Sequence, residues 1–441
     1  MLDQSFSAKN FKIIFDISNR NGLFVEEKLS LTSVRAYTDD IKKYGVLAKQ
    51  KRKSGDHKLA TFFNEVKDSV REDRNLEIDR VLAEISSNIA KKDFKINLKP
   101  IRISGGKDLY TVDNISEYFF AINQVQHNVS RLFDVKQSNR NSIVQQLISL
   151  LSDKFPKAVV RTDISSFYES IDHATILKNV NQDNLLSPKS RKIINQILRS
   201  YKDLSRSDKG VPRGIGVSAY LSELFMRRID RLIRAIPGVI YYARFVDDIV
   251  VILIPNPNEQ PRDFLYEVKK TIEGHSTVLT NPAKTFQKNI YDAASYNFEF
   301  LGYEFTVKEG TVKTKLTTRK LEKIETRLDT AFKDYINLSV IDEKSARKIL
   351  VSRIRFLTGN TRLANNKSKI LIGIYYSNSY LTEIGQIKHL DNLLKKYTNT
   401  RLTSISLKRR LSKYSFIDGF KNHRFSSFSG KQLREIMKIW K

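Results

Sequence analysis

Three aspartates carry the chemistry that this sequence can do. Asp163 closes the β-branched run Ala158-Val159-Val160-Arg161-Thr162. Asp247 and Asp248 stand side by side in Tyr241-Tyr242-Ala243-Arg244-Phe245-Val246-Asp247-Asp248-Ile249-Val250-Val251-Ile252, an apolar stretch that resumes straight after them. Burying a charge without compensation is costly, and adjacent like charges make it worse. A tight turn between two strands resolves the conflict if the carboxylates face a divalent cation. Taken alone, the doublet reads equally well as a hairpin turn facing solvent, because Asp is common in turns. Asp163 gives the pair a more specific meaning. Two-metal phosphoryl transfer needs carboxylates that hold two divalent ions roughly 3.5–4 Å apart, one activating the attacking hydroxyl and one steadying the leaving pyrophosphate. Magnesium takes hard oxygen ligands, so three Asp without His or Cys are the right donors; Mn2+ accepts the same set.

The elements that must position these groups are legible in outline. A strand should deliver Asp163 to its end before the chain turns into a helix through Ser165-Ser166-Phe167-Tyr168-Glu169. Lys209-Gly210-Val211-Pro212-Arg213-Gly214-Ile215-Gly216 forms a Gly/Pro-rich loop that opens into an amphipathic helix running to about Ala235. Backbone N–H groups at such a junction suit an anionic ligand, although many Gly-rich loops bind nothing. Ahead of them, Ile101-Arg102-Ile103-Ser104-Gly105-Gly106-Lys107-Asp108-Leu109-Tyr110 reads as strand, turn, strand. This basic hairpin either closes over a nucleotide or is an ordinary sheet edge. Helices are expected over Ile115–Leu132 and Arg140–Leu151, with Asn139 capping the second. Pro255-Asn256-Pro257-Asn258 reads as a bend before a helix from Arg262 to about Glu273. Phe298-Glu299-Phe300-Leu301-Gly302-Tyr303-Glu304-Phe305 alternates as a strand and should form a short hairpin.

The first 95 residues read as mostly helical, with Ile78, Leu82 and Ile85 at helical spacing. Within them, Lys49-Gln50-Lys51-Arg52-Lys53-Ser54-Gly55-Asp56-His57 reads as a basic loop with Ser54-Gly55 as its turn, either touching phosphate or, as the better reading, simply solvated. From Thr311 onward the chain reads as helical and basic, with 29 Lys and Arg against 10 Asp and Glu. Most of the formal net charge of +29 therefore lies in the last third. A surplus of this size points to a polyanionic partner. The cations are spread along the chain and not gathered on one amphipathic helix, which favours nucleic acid over a membrane surface. No apolar run is long enough to cross a bilayer. The 441 residues include no cysteine, which excludes disulfides and thiolate zinc sites. The opening Met1–Ser7 lacks the basic-then-apolar pattern of a secretion signal, so a cytoplasmic location is expected.

Taken in order, the motifs resemble the palm of reverse transcriptases. Asp163-Ile164-Ser165-Ser166-Phe167-Tyr168 resembles motif A, Val211-Pro212-Arg213-Gly214 motif B, and Phe245-Val246-Asp247-Asp248 motif C. Asn281-Pro282-Ala283-Lys284-Thr285 resembles motif D and Phe300-Leu301-Gly302 the primer grip. The resemblance covers about residues 95–310. Within the family the chain is most similar to bacterial abortive-infection and defence-associated reverse transcriptases. Leu357–Leu363 and Gly373–Asn378 resemble segments that follow the palm there. Asp3-Gln4-Ser5-Phe6-Ser7 and Gln137-Ser138-Asn139-Arg140 resemble one member of the paired, two-polymerase defence systems.

The resemblance implies an α+β right-hand polymerase, with an N-terminal helical region over 1–95, fingers and palm over 96–310, and a basic helical thumb over 311–441. It implies RNA-directed DNA synthesis from dNTPs in antiviral defence. Asp163, Asp247 and Asp248 would be metal ligands, joined by the Ile164 carbonyl. Tyr168 would lie under the incoming sugar and exclude a 2′-hydroxyl; the bland reading is a packed aromatic. Lys284 would serve as a general acid near the pyrophosphate; the alternative is a surface lysine. Arg213 and Gly214, with Arg102 and Lys107 of the hairpin, are the nucleotide-binding candidates, and Leu301-Gly302 would contact the primer. Implied partners are an RNA template, a structured non-coding RNA, the DNA product and a second polymerase subunit; a homo-oligomer is also open. Two departures stand out. Arg213 replaces the usual motif B Gln, and Phe245 replaces the usual motif C Tyr. Arg213 makes ordinary templated copying less certain and keeps open a template-independent or protein-primed DNA polymerase on the same palm; a separate rival is a non-catalytic RNA-binding scaffold. The full aspartate triad argues against the scaffold.

Overall fold

The computed structural model describes residues 2–103, 106–136, 138–181, 184–256, 262–274, 276–290, 295–363 and 370–440. The chain opens with four helices, α1 (Ala8–Arg20), α2 (Val25–Lys28), α3 (Thr32–Lys53) and α4 (His57–Ala90). Ile78, Leu82 and Ile85 are buried on α4, as their spacing predicts. Lys49–Lys53 are not a loop. They complete α3, because Lys, Gln and Arg are good helix formers and cations in a last turn complement its partial negative charge. Only Ser54, Gly55 (φ 81°) and Asp56 make the turn, and the Asp56 side chain caps α4 by accepting from Leu59 N at 3.1 Å.

Strands β1 (Lys99–Ile101) and β2 (Leu109–Thr111) pair antiparallel, shorter than expected, with Arg102 and Ile103 beyond the ladder. The Ser104-Gly105 turn of that hairpin lies outside the described residues. Next come α5 (Ser116–Leu132) and α6 (Arg140–Leu151), the latter capped by Asn139, which accepts from Asn141 N and Ser142 N. Gln137, part of the stretch singled out before α6, lies outside the described residues. The middle of the chain holds β3 (Lys157–Asp163), α7 (Phe167–Ser170), α8 (His173–Asn181), α9 (Pro188–Ser205) and α10 (Gly216–Arg234). Then follow β4 (Val239–Phe245), β5 (Asp248–Leu253), α11 (Phe264–Gly274), a 3-10 turn over Pro282–Lys284, and β6 (Phe286–Ile290). Pro257-Asn258 of the expected bend lies outside the described residues.

The expectation of helix from Thr311 needs correction. The strands β7 (Tyr296–Phe300) and β8 (Tyr303–Lys308) are joined by a third, β9 (Thr311–Leu316), in an antiparallel sheet. Alternating Thr311, Lys313 and Lys315 with Val312, Thr314 and Leu316 is a strand period that the cation count conceals. Helices α12 (Thr318–Ser339) and α13 (Glu343–Leu357) come after it. The short strands β10 (Asn360–Arg362) and β11 (Leu371–Gly373) pair next, ahead of α14 (Gly385–Arg401), α15 (Ile405–Leu411), α16 (Phe416–Lys421) and α17 (Gly430–Met437). The α+β class holds.

The chain divides into two compact units, each discontinuous in sequence. The first comprises 1–137, 162–237 and 266–285. It is mainly helical, with Phe11, Phe15 and Phe120 buried where α1 meets α5 and Ile193, Ile197, Val217 and Leu221 buried on α9 and α10. The second comprises 138–161, 238–265 and 286–441. Its core is continuous from α6 and the central strands through β7–β9 to α12, α13 and α14. The central sheet has the order β4-β5-β3-β6, with β4–β5 and β3–β6 antiparallel. β3 is almost wholly buried, which is why its sequence is an apolar run and does not alternate. Among the described residues, no helix is long and apolar enough to cross a membrane.

Candidate active site

In the β4–β5 hairpin Phe245 pairs with Asp248, so only Val246 and Asp247 are left to turn the chain. Val246 takes φ 62°, a conformation uncommon for a β-branched residue. The turn is braced by Arg244, itself buried, whose Nη1 donates to the Val246 carbonyl at 2.9 Å. Asp248 begins β5, and its Oδ1 accepts from Arg161 Nη2 at 2.9 Å. Arg161 is the one residue of the β3 run that is not fully buried. A charge inside an apolar strand requires a partner, and Asp248 is that partner.

Asp163 ends β3 with only 4% of its surface exposed. Lys284 Nζ donates to its Oδ2 at 2.6 Å, and Asn281 Nδ2 reaches its Oδ1 at 3.4 Å. Asn281 N also donates to the Asp163 carbonyl at 2.7 Å, while its side chain accepts from Ala283 N and shapes the 3-10 turn that presents Lys284. Ile164 forms an isolated antiparallel bridge with Thr280, which holds the backbone after the aspartate. Asp163, Asp247 and Asp248 each offer a carboxylate oxygen, and these oxygens lie within 4.8 Å of one another. Three converging negative charges repel, and Lys284 and Arg161 offset part of that repulsion. Oxygen-only donors at this separation fit hard divalent cations such as magnesium.

The Pro212-Arg213-Gly214 loop is held by backbone contacts on both sides. Tyr110 N of β2 donates to the Arg213 carbonyl, and Val211 N donates to the Tyr168 carbonyl, each at 2.7 Å. Gly214 lies at φ 96°, and a Cβ there would sit 2.5 Å from the Tyr110 carbonyl oxygen, so glycine is required. The Arg213 guanidinium lies 4.9 Å from the centre of the Tyr168 ring and binds Glu169 through Nε at 2.5 Å and Nη2 at 3.2 Å. Lys107 Nζ donates to Glu169 Oε2 at 3.0 Å. Burial pushes the Glu169 carboxyl up, but the hydrogen bonds from Arg213 and Lys107 outweigh it and hold the group below the usual carboxylate range. Tyr168, Arg213, Gly214 and Lys107 are thus brought together. Arg102 stands exposed past β1, and no contact among the described residues draws it into this cluster.

Leu301 (φ 47°) and Gly302 (φ 75°) form the turn between β7 and β8. Arg140 Nε donates to the Leu301 carbonyl at 2.9 Å, and the guanidinium lies 5.0 Å from the centre of the Tyr303 ring. Lys320 Nζ sits 4.8 Å from the centre of the same ring and donates to the Ser377 carbonyl at 3.0 Å. Arg161, Glu169, Asn281, Arg140 and Lys320 were not assigned roles from the sequence. For Arg161 and Glu169 the signal was present, since each is a charge inside a stretch expected to be ordered against apolar neighbours. Arg140 and Lys320 lie far in sequence from the turn they support, and nothing local marks them.

Residues 111–305 match the family Reverse transcriptase (RNA-dependent DNA polymerase). The chain carries a reverse transcriptase domain. By family this is the domain of an RNA-directed DNA polymerase, a nucleotidyltransferase. The matched span contains the three aspartates, the Arg213 loop, Lys284 and the Leu301-Gly302 turn of the reverse transcriptase domain. No curated protein matches the chain. Among solved structures, apo telomerase from Candida tropicalis is similar at 14% identity and TM-score 0.38, over 78% of this chain and 61% of that one. Telomerase from Candida albicans, in complex with a fragment of telomeric RNA, is similar at 13% identity and TM-score 0.36, over 80% and 62%. The BmCPV RNA-dependent RNA polymerase at elongation state is similar at 11% identity and TM-score 0.30, over 55% and 25%. The chain spans about three fifths of the telomerase chains it matches.

Proposed function

We propose that this chain is a magnesium-dependent reverse transcriptase that extends a DNA strand from dNTPs on an RNA template, in the cytoplasm, as part of bacterial antiviral defence. The observation that carries the catalytic reading is the convergence of Asp163, Asp247 and Asp248 inside a reverse transcriptase domain. These carboxylates, with the Ile164 carbonyl, would hold two Mg2+, which when bound polarise the phosphoryl oxygens and acidify the attacking hydroxyl. Lys284, whose Nζ reaches Asp163 at 2.6 Å, would give a proton to the leaving pyrophosphate. Tyr168 sets a ring against the sugar and disfavours a 2′-hydroxyl. Arg213, Gly214, Lys107 and Arg102 would meet the nucleotide, and Leu301-Gly302, backed by Arg140, the primer backbone. The matching organisation is a helical region over 1–95, fingers and palm over 96–310, and a thumb over 311–441. The defence role rests on the sequence resemblance, which also implies a structured non-coding RNA and a second polymerase subunit or a second copy of the chain as partners.

Replacing Asp247 with Asn removes one charge from the site with little change in shape. Incorporation of labelled dNTP should fall by several kcal/mol of transition-state stabilisation, roughly a thousandfold or more, while circular dichroism and RNA binding stay unchanged. Unchanged incorporation would sink the enzyme reading and leave an RNA-binding scaffold. One observation favours a second reading, addition without a template or onto a protein primer. Arg213 is tied to Glu169 and lies over Tyr168, where the family usually has Gln. Product made from a single dNTP without added RNA, or attached to a tyrosine, would establish it.

A further inference from the structure

The hairpin of α3 and α4 projects as an arm. α4 has 34 residues, about 50 Å of helix at 1.5 Å per residue. Its buried residues are Ala60 near the tip and Ile78, Leu82, Ile85 and Ile89 at the base, and none lies between. α3 likewise buries only Val34 and Ala48. The base is fastened by Arg74, which donates to Thr38 Oγ1 at 2.7 Å and to Glu26 at 3.1 Å. Beyond that point the two helices chiefly cover each other.

The outer end is strongly basic. Residues 42–58 hold seven Lys and Arg and a single carboxylate, Asp56. Asp56 is committed to capping α4. Lys49, Arg52, Lys53 and Lys58 are exposed and have no carboxylate partner among the described residues. Helix polarity explains Arg52 and Lys53, which stand in the last turn of α3. It does not explain Lys58, which stands in the first turn of α4, where a cation is unfavourable. Beside these charges Phe62 is 53% exposed, next to Phe63, whose ring stacks on Tyr44. Cations without partners around an exposed ring match an unpaired nucleic-acid strand, whose phosphates take the charges and whose base stacks on the ring.

We propose that the tip of this arm binds single-stranded RNA, outside the polymerising site. Charge complementarity carries the assignment, and the choice of RNA rests on the reading of the chain as an RNA-directed polymerase. The arm would hold a part of the RNA that is not being copied.

The test uses the full chain and its variant K49Q/R52Q/K53Q/K58Q, with circular dichroism as the folding control. Binding of a fluorescent unpaired RNA oligonucleotide is measured by anisotropy between 50 and 200 mM salt. The variant should bind at least about tenfold more weakly at low salt, with a salt dependence shallower by roughly two to four units in log–log slope. F62A should weaken binding about fivefold or more without altering that slope. Extension of a short pre-annealed template–primer at saturating concentration should be the same for all three proteins. Equal RNA affinity and salt slope for wild type and the quadruple variant would overturn the proposal, whether or not the chain polymerises. So would wild-type binding to phosphatidylserine–phosphatidylcholine vesicles, lost in the variant, with RNA binding unchanged. Failure of all three to incorporate dNTP, with the RNA-binding difference intact, would count against the polymerase reading and leave the arm standing.

Discussion

Arg213 is the residue on which copying fidelity should turn. Its guanidinium is bound by Glu169 and lies over Tyr168, so it covers the ring proposed to meet the sugar. A planar, permanently charged group there offers phosphate or stacking contacts that an amide does not. Arg213→Gln should therefore raise template dependence, read as the ratio of matched to mismatched dNTP incorporation in primer extension. An unchanged ratio would remove Arg213 from nucleotide selection. Lys320 gives a second handle. Burial, with a smaller contribution from the nearby Arg140, pushes its amine down to about 7. The unfolded chain binds that proton up to about pH 10.4. Between these values the unfolded state holds more protons, so the cost of burying the charge shrinks as pH rises. The gain in melting temperature of Lys320→Met over wild type should be largest below pH 7 and fade toward pH 10. A gain that grows with pH would contradict it.

At the scale of elements, the region after α13 is locked by close approach of backbone to backbone. Asn360 of β10 donates through Nδ2 to the Gly419 carbonyl at 2.7 Å and accepts from Tyr375 N at 3.0 Å. A Cβ on Gly419 of α16 would fall 1.7 Å from the Thr358 carbonyl oxygen. Gly419→Ala should cost about 3 kcal/mol or more, seen as a loss of melting temperature, since no rotamer change can relieve a clash between main chains. Glycine inside a short helix gives no warning of this in the sequence. The strand carrying Asp163, the aspartate hairpin and the cap at Asn139 were legible because each is fixed by near neighbours: a β-branched run, a charged doublet between apolar strands, a side chain one residue before a helix. β9 was hidden by its lysines. The basic stretch 49–53 is helical because helix propensity holds up to Lys53, and the turn signal Ser54-Gly55 marks only the end of α3. Arg140 and Lys320 could not be found, because they meet Leu301-Gly302 and Tyr303 only through the tertiary fold.

For the whole molecule, the proposed nucleic-acid binding by a chain of net charge +29 should be strongly salt-dependent. If six or more phosphates are contacted, affinity for an RNA–DNA duplex should drop about a thousandfold between 50 and 200 mM salt. Affinity that is insensitive to salt would mean that the surplus charge serves something else. The two units impose a further constraint. The chain passes from one to the other five times, at 137/138, 161/162, 237/238, 265/266 and 285/286. Neither can be excised alone as a continuous fragment, because the shortest stretch holding all of the first, 1–285, includes parts of the second, and the stretch holding all of the second, 138–441, includes parts of the first. Residues 1–137 leave the ribosome before their partners at 162–237 and 266–285 exist, so the first unit cannot close until most of the chain has been made. Such delayed pairing of distant segments slows folding and exposes apolar surface meanwhile. Yield in a cell should therefore respond to the rate of synthesis and to chaperones.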